Sequence, residues 1–329
     1  MTTLEPTKEE TLTASAPAAI LTRGLHKSYD DKVVLDGIDL KVPVGTIFAL
    51  LGPNGAGKTT MVQILSTLIG ADGGEARIGG HDLNADPDAV RTVLGVTGQF
   101  AAIDNYLTGE ENLILMADLH HLGRLEGRER VAELLVQFDL VEAAKQTPAT
   151  YSGGMRRRLD LAMGLVGAPR IVFLDEPTAG LDPRGRQVMW QIIRDLVAGG
   201  VTIFLTTQYL EEADKLADRV AVLDRGQLVA EGTPDELKKL APGGHISLRF
   251  NDPTELEAAA SALGEVGHDV DNLILQIPTD GDVKSLRALL DRLDHLSIEV
   301  ETLTVHTPDL DDVFFALTGH SKTEKETAS

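Results

Sequence analysis

Gly52-Pro53-Asn54-Gly55-Ala56-Gly57-Lys58-Thr59 is a complete phosphate-binding loop, and its reading decides the fold. The apolar run Thr46 to Leu51 before it reads as a buried strand, and Thr60 to Leu65 after it reads as a helix. Glycines let the backbone curl until successive N–H groups point at phosphate oxygens, because no Cβ obstructs the approach. Lys58 is placed to reach β- and γ-phosphates, Thr59 to ligate Mg²⁺ through its hydroxyl, and the helix starting near Thr60 adds its positive end to the same anion.

Composition bounds the rest. A chain of 329 residues is long for one ordinary domain and suggests about two. Its 30 Lys and Arg against 51 Asp and Glu give a formal net charge of −21, which opposes nonspecific binding to nucleic acid or anionic headgroups. The trio Arg156-Arg157-Arg158 is the local exception. With no cysteine there is no disulfide framework, thiolate metal site or cysteine nucleophile. Apolar runs such as Ile47 to Leu51 and Leu113 to Met116 fall far short of the ~18–20 residues a spanning helix needs, so a membrane role would be peripheral.

The chain divides by pattern. Residues 1–18 are rich in Thr, Glu, Ala and Pro, lack the basic and apolar regions of a signal peptide, and read as a disordered lead-in. Residues 19–240 mix short apolar strands with helices, the grammar of an α/β nucleotide-binding domain. Ile20–Leu25, Lys32–Leu35 and Gly37–Val42 are expected as separate antiparallel strands, Arg91–Val96 as another strand, and Glu110–Leu122 and Leu125–Phe138 as an inserted helical part. Ile171–Leu174 and Val201–Leu205 are continuous apolar runs, as parallel strands covered on both faces require. The breaker cluster Ala241-Pro242-Gly243-Gly244 marks a boundary, residues 245–320 read as a small α+β domain, and 321–329 as a frayed tail.

Two further motifs stand downstream. Tyr151-Ser152-Gly153-Gly154-Met155 leads into a helix with the arginine trio, and Ile171-Val172-Phe173-Leu174-Asp175-Glu176-Pro177 follows. Together with the phosphate loop these resemble the ATPase subunit of an ATP-binding cassette transporter over residues 20 to about 239. The pattern is most similar to subunits of daunorubicin-resistance-type drug exporters, through Tyr-Ser-Gly-Gly-Met-Arg-Arg-Arg, Val96-Thr97-Gly98-Gln99 and an Asp-Val-Phe helix near the end. The implied fold is an α/β P-loop ATPase cassette with an antiparallel β subdomain and a helical subdomain, plus the small C-terminal α+β domain.

The resemblance also implies roles. Tyr29 is similar to the aromatic that stacks on adenine, and the loop Gly52, Pro53, Asn54, Gly55, Ala56, Gly57, Lys58, Thr59 and Thr60 to the ATP phosphate cradle. Asp175 resembles a carboxylate holding Mg²⁺, Glu176 the general base, and Gln99 a glutamine that senses Mg²⁺ and water. In the family, Ser152, Gly153 and Gly154 contact the γ-phosphate bound by the other subunit, and the segment containing Asp182 crosses that interface. The implied partners are a second copy in an ATP-sandwich dimer and separately encoded membrane permease subunits, with no nucleic acid, at the cytoplasmic face of the cell membrane.

One position departs from the family pattern. After Val201–Leu205 the family usually places a histidine against the γ-phosphate, whereas Thr206-Thr207-Gln208-Tyr209 offers Gln208, which donates a hydrogen bond but does not titrate. Export of a hydrophobic drug or lipid-like compound is the leading reading. The alternatives are a soluble cassette ATPase of translation or DNA repair, which usually has two fused cassettes or inserted coiled coils, and a regulatory nucleotide-binding module. In the C-terminal part, Leu310, Val313, Phe314 and Leu317 form one helical face, read equally as that domain's own core or as a docking face. His245, His268, His295, His306 and His320 are scattered without metal-ligand spacing.

Overall fold

The computed structural model describes residues 17–98, 102–241, 244–263, 267–270, 272–279, 283–296 and 298–318. It opens with a long antiparallel hairpin, β1 (Ala18–Tyr29) and β2 (Lys32–Pro43), turning at Asp30 with φ +50°. The separate strands expected at Lys32–Leu35 and Gly37–Val42 are one strand. Pairing passes from Thr22 with Leu40 to Leu25 with Ile38, then to Lys27 with Leu35, so each strand in turn holds one extra residue. Gly24 at φ +56° and Gly37 at φ +69° supply the left-handed backbone of these bulges.

Next come β3 (Ile47–Leu51), α1 (Lys58–Leu65), β4 (Gly73–Ile78) and β5 (His81–Asp82). The antiparallel sheet runs β2-β1-β4-β5. Its inward residues Ile20, Leu25, Leu35, Ile38, Leu40 and Val42 join Met61 and Ile64 of α1 and one face of the second sheet in a common core.

Then follow α2 (Pro87–Thr92) and β6 (Leu94–Thr97), which correct the expected strand at Arg91–Val96. Asp86 accepts from the Ala89 N–H, Pro87 takes the first helical position, and Arg91 pairs with Asp88, so Arg91 and Thr92 close a short helix before the strand begins. The helical part is α3 (Gly109–Leu119), α4 (Arg124–Gln137) and α5 (Gly153–Gly164). A reciprocal cap between Thr108 and Glu111 starts α3, and α3 packs on α4. It ends at Leu119, short of the expected Leu122, where His121 turns to φ +56°.

The remaining elements of this part are β7 (Ile171–Asp175), α6 (Pro183–Ala198), β8 (Thr202–Thr207), α7 (Leu210–Leu216), β9 (Arg219–Asp224) and β10 (Gln227–Gly232). The second sheet runs β10-β9-β3-β8-β7-β6 and is parallel from β9 to β6. Every residue of β3, β7 and β8 is buried, and each strand is apolar through its centre, at residues 47–51, 171–174 and 203–205. Phe48 stacks on Phe204 at 5.8 Å and Phe173 meets Phe204 edge-on at 5.4 Å, adding about 0.5–1.5 kcal/mol per pair beyond burial. This aromatic row holds β3, β7 and β8 in register, and their carboxyl ends carry the motifs.

By contacts the chain divides between Val229 and Ala230, ahead of the Ala241–Gly244 cluster. The C-terminal unit contains α8 (Pro234–Lys238), β11 (His245–Arg249), α9 (Pro253–Leu263), β12 (Gly267–Asp269), β13 (Ile274–Pro278), α10 (Val283–Leu296), β14 (Thr302–His306) and α11 (Leu310–Thr318). Its antiparallel sheet runs β12-β13-β11-β14, so β11 to β14 with α9 and α10 form a split β-α-β-β-α-β unit. Ile246, Leu248, Phe250, Leu256, Leu275 and Leu293 form its core. Within this unit α8, which buries Leu237, packs against α11, which buries Leu310 and Val313. Part of the terminal stripe is therefore internal packing. Strand pairing also sets His245 beside His306, with ring centroids 4.8 Å apart and His306 Nε2 2.8 Å from Asp312, so two of the scattered histidines meet in the fold.

Candidate active site

The phosphate loop joins the carboxyl end of β3 to α1, at the edge where parallel sheets of this kind hold ligands. Gly55 at φ +81° and Gly57 at φ +111° adopt backbone closed to most side chains. A Cβ on Gly57 would lie 2.8 Å from the Val34 carbonyl, so the loop is wedged against β2. The other side is braced too: the Gly226 N–H donates to the Ala56 carbonyl at 3.1 Å, and the Asp36 N–H to the Gly226 carbonyl at 2.8 Å. Ala56 N–H closes the turn on the Pro53 carbonyl at 3.2 Å, and Asn54 stands exposed at its tip.

Lys58 turns back into this loop. Its Nζ donates to the Gly52 carbonyl at 2.8 Å and the Pro53 carbonyl at 3.1 Å, with the residue 5% exposed. Burial pushes its pKa below the usual lysine range, and the Glu176 and Asp175 carboxylates pull it back up. A cation held by only two carbonyls inside a ring of glycines is suited to exchange them for anionic oxygens.

Register brings the downstream motifs to the same edge. Leu51 pairs with Thr207, and Asp175 with Thr206, so the ends of β3, β8 and β7 stand side by side. Asp175 Oδ2 accepts from the Thr59 hydroxyl at 3.1 Å, and Oδ1 from the Thr206 hydroxyl. A hydroxyl and a carboxylate facing one another form the hard-oxygen donor pair that suits Mg²⁺, so Thr59 and Asp175 fit that ion. Thr60 follows in the first turn of α1.

Glu176 lies just past β7 at φ +48°, a left-handed conformation that costs a non-glycine residue about 1–2 kcal/mol. Its N–H donates to the Thr206 carbonyl at 3.1 Å and to the Thr206 hydroxyl at 3.2 Å. Half-buried Gln208 follows Thr207, whose carbonyl accepts from the Gly52 N–H at 3.3 Å. Gln208 therefore sits beyond two strand ends that meet the loop and Glu176. Tyr29, 46% exposed, ends β1 at the hairpin tip, a few residues from the Val34 contact with the loop, and Lys27 Nζ stands 5.4 Å from its ring. Gln99 lies outside the described residues.

Ser152, Gly153, Gly154 and Asp182 are gathered elsewhere on the surface. They line one open groove with Leu181 and Arg184. Ser152 caps α5, its hydroxyl oxygen accepting from the Met155 N–H at 3.2 Å, and Asp182 caps α6 by accepting from the Gly185 N–H at 2.7 Å. The caps place both helix starts on the wall of this groove.

Three contributors carried no signal in the sequence. Thr206 holds both Asp175 and Glu176. Arg157, from the trio on α5, reaches the carbonyls of Asp175, Glu176, Pro177 and Gly98. Glu212 on α7 accepts from the Thr178 hydroxyl at 2.9 Å and Trp190 Nε1 at 3.0 Å; burial raises its pKa against these bonds and one from Thr207. Each joins elements distant along the chain, so no local pattern marks it.

Sequence comparison agrees with this geometry. A family profile described as ABC transporter matches residues 35–179. Daunorubicin resistance ATP-binding protein DrrA3 of Streptomyces coeruleorubidus is 48% identical over 315 residues, covering 95% of this chain and 100% of that protein. The chain belongs to the ATP-binding subunits of ABC transporters, in the drug-resistance group. Nod factor export ATP-binding protein I of Burkholderia orbicola is 39% identical over 244 residues, 74% of this chain and 80% of that one. A dimeric ATP-binding cassette in a post-hydrolysis state, bound to ADP and Pi, aligns with a TM-score of 0.60 at 26% identity, covering 65% of this chain and 98% of that one. This ABC subunit is accordingly an ATPase, with the P-loop cassette fold expected from its motifs. Among the described residues no helix is long and apolar enough to cross a membrane.

Proposed function

We propose that this ATPase energises export of a hydrophobic drug or lipid-like compound through separately encoded membrane subunits, docked at the cytoplasmic face of the membrane. The observation that carries the reading is the identity of 48% spanning 95% of the chain to a protein named for daunorubicin resistance. The substrate pocket belongs to the membrane subunits, and this chain supplies the ATP site.

In that role Lys58 leaves the Gly52 and Pro53 carbonyls for the β- and γ-phosphates, within the cradle of Gly52, Pro53, Asn54, Gly55, Ala56, Gly57, Lys58, Thr59 and Thr60. Mg²⁺ would be held by Thr59, Asp175 and Gln99, and would neutralise charge on the phosphates when bound. Glu176 orients and deprotonates the attacking water, Gln208 donates an amide hydrogen to the γ-phosphate, and Tyr29 stacks on the base. The groove bearing Ser152, Gly153, Gly154 and Asp182 receives the nucleotide bound by a second copy, so ATP joins two chains. The C-terminal part, residues 245–320, serves subunit contacts.

The test is co-purification of the full-length chain with its membrane subunits, followed by ATPase assays in lipid vesicles across a panel of hydrophobic compounds. Stimulation by a compound that the same vesicles also transport is expected. A stable complex whose turnover no compound alters, and which moves none of them, would overturn the export reading.

A further inference from the structure

The guanidinium of Arg157 lies at the back of the catalytic turn. Nε donates to the Pro177 carbonyl at 3.0 Å, and Nη2 to the carbonyls of Asp175 at 2.9 Å and Glu176 at 3.2 Å. Nη1 donates to the Gly98 carbonyl at 3.0 Å and to Asp160 Oδ2 at 3.1 Å. Asp160, one turn further along α5, uses its other oxygen to accept from the Ala102 N–H at 3.1 Å. The Asp160 side chain is buried, 5% exposed, and that of Arg157 is largely covered at 13%. Burial pushes the Arg157 pKa down and the Asp160 pKa up, and their facing charges oppose both shifts.

We propose that Arg157 and Asp160 are a positioning pair for hydrolysis: Arg157 fixes the backbone on either side of Glu176, and Asp160 fixes Arg157. The proposal rests on Glu176 being the general base. Glu176 sits at φ +48°, and a strained conformation persists only where its surroundings determine it from several directions. Here the N–H of Glu176 is held by Thr206, while the carbonyls before, at and after it are held by one rigid group. A guanidinium presents five donors in a fixed plane; an ammonium is a point donor that cannot meet four carbonyls at once. Asp160 holds the fork by charge and is itself tied to Ala102, so the pair bridges both flanks of the 99–101 segment, at Gly98 and Ala102.

The pair also has a consequence between subunits. α5 begins at Ser152-Gly153-Gly154, the motif assigned to the other copy's nucleotide, and two turns hold everything from that motif to Asp160. A shift of α5 on engaging the second nucleotide therefore reaches the backbone of this subunit's own Glu176.

The experiment uses the full-length chain with Mg²⁺ and ATP, comparing wild type with Arg157→Lys and with the neutral double variant Arg157→Gln/Asp160→Asn. Arg157→Lys keeps the charge facing Asp160 and loses the planar fork; the double variant removes both buried charges together, so neither is left unpaired. The expected result is a kcat lowered roughly tenfold to a hundredfold, the scale on which small misplacements of a catalytic group act, with KM for ATP within about threefold and ATP-induced thermal stabilisation retained. A kcat within about twofold of wild type in both variants overturns the proposal. So does a parallel loss of kcat and ATP-induced stabilisation, which marks a purely structural contact. Glu176→Gln is run beside them: wild-type turnover in that variant refutes the general-base reading itself and the positioning claim with it. Loss of turnover there, with both Arg157 variants active, refutes the positioning pair alone.

Discussion

Thr206 offers the sharpest test of how the catalytic edge is held. Its side chain is fully buried, donating to Asp175 Oδ1 and accepting from the Glu176 N–H at 3.2 Å. Thr206→Val keeps the shape and removes the hydroxyl. Glu176 N–H keeps the Thr206 carbonyl at 3.1 Å, so the loss falls mainly on Asp175, which is left with the Thr59 hydroxyl at 3.1 Å. Taking a hydrogen bond from a buried carboxylate costs about 1.5–3 kcal/mol, which is roughly tenfold to a hundredfold in the folding equilibrium. Thr206→Ser is the control: it keeps the hydroxyl and loses one buried methyl, about 0.8 kcal/mol.

Urea unfolding followed by tryptophan fluorescence reads this unit directly. Trp190 is the chain's single tryptophan, and it lies on α6, buried and bonded to Glu212. The expected order is wild type, then serine, then valine, with the slope m unchanged because the surface exposed on unfolding is the same. A valine variant as stable as the wild type, or more stable than the serine variant, would refute the claim that Thr206 holds the buried carboxylate.

Three further outcomes are expected. Lys58→Ala removes the one cation in the loop and should weaken ATP binding by at least about tenfold in titration calorimetry, the value of a charge-assisted hydrogen bond; unchanged affinity would mean that Lys58 stays on the Gly52 and Pro53 carbonyls. Gln208→Ala should lower the hydrolysis rate while Gln208→His retains it, and equal rates for both variants and wild type would show that this side chain does not touch the nucleotide. Glu212 has its folded pKa raised by burial, so its contribution to stability is fully present below the unfolded glutamate value of about 4.3 and is lost as pH rises through the higher folded value. Glu212→Gln cannot ionise, so urea midpoints should drift in the variant's favour as pH rises from about 4.3 through the higher folded value and level off above it; a gap independent of pH would show that Glu212 titrates normally.

The parts legible in the sequence are those whose physics is local. Ile171–Leu174 and Val201–Leu205 announce covered strands because both faces must be apolar, and the loop at Gly52–Thr59 needs only its own glycines and the strand before it. Gly37 was misleading for an equally local reason: a positive φ serves a bulge as well as a turn, and only pairing with β1 distinguishes them. At Arg91 the β-like run Arg-Thr-Val-Leu-Gly-Val competes with the helix start at Asp86-Pro87, and the cap and proline carry the helix through Thr92 before the strand begins.

The supports of the site were illegible because their partners are remote. Arg157 looked like one of three equivalent cations, yet Arg156 reaches Asn105 and the Pro148 carbonyl, and Arg158 reaches Asp139 and the Phe138 carbonyl; only the middle one turns to the catalytic strand. Three successive residues on a helix point about 100° apart, so a run of like residues serves three different surfaces. The same holds for Glu211 and Glu212, where one pairs with Lys215 in solvent and its neighbour is buried against Thr178 and Trp190. Charge runs in this chain therefore have to be separated residue by residue through helix geometry, since in each run one member alone turns toward the strand ends that carry the motifs.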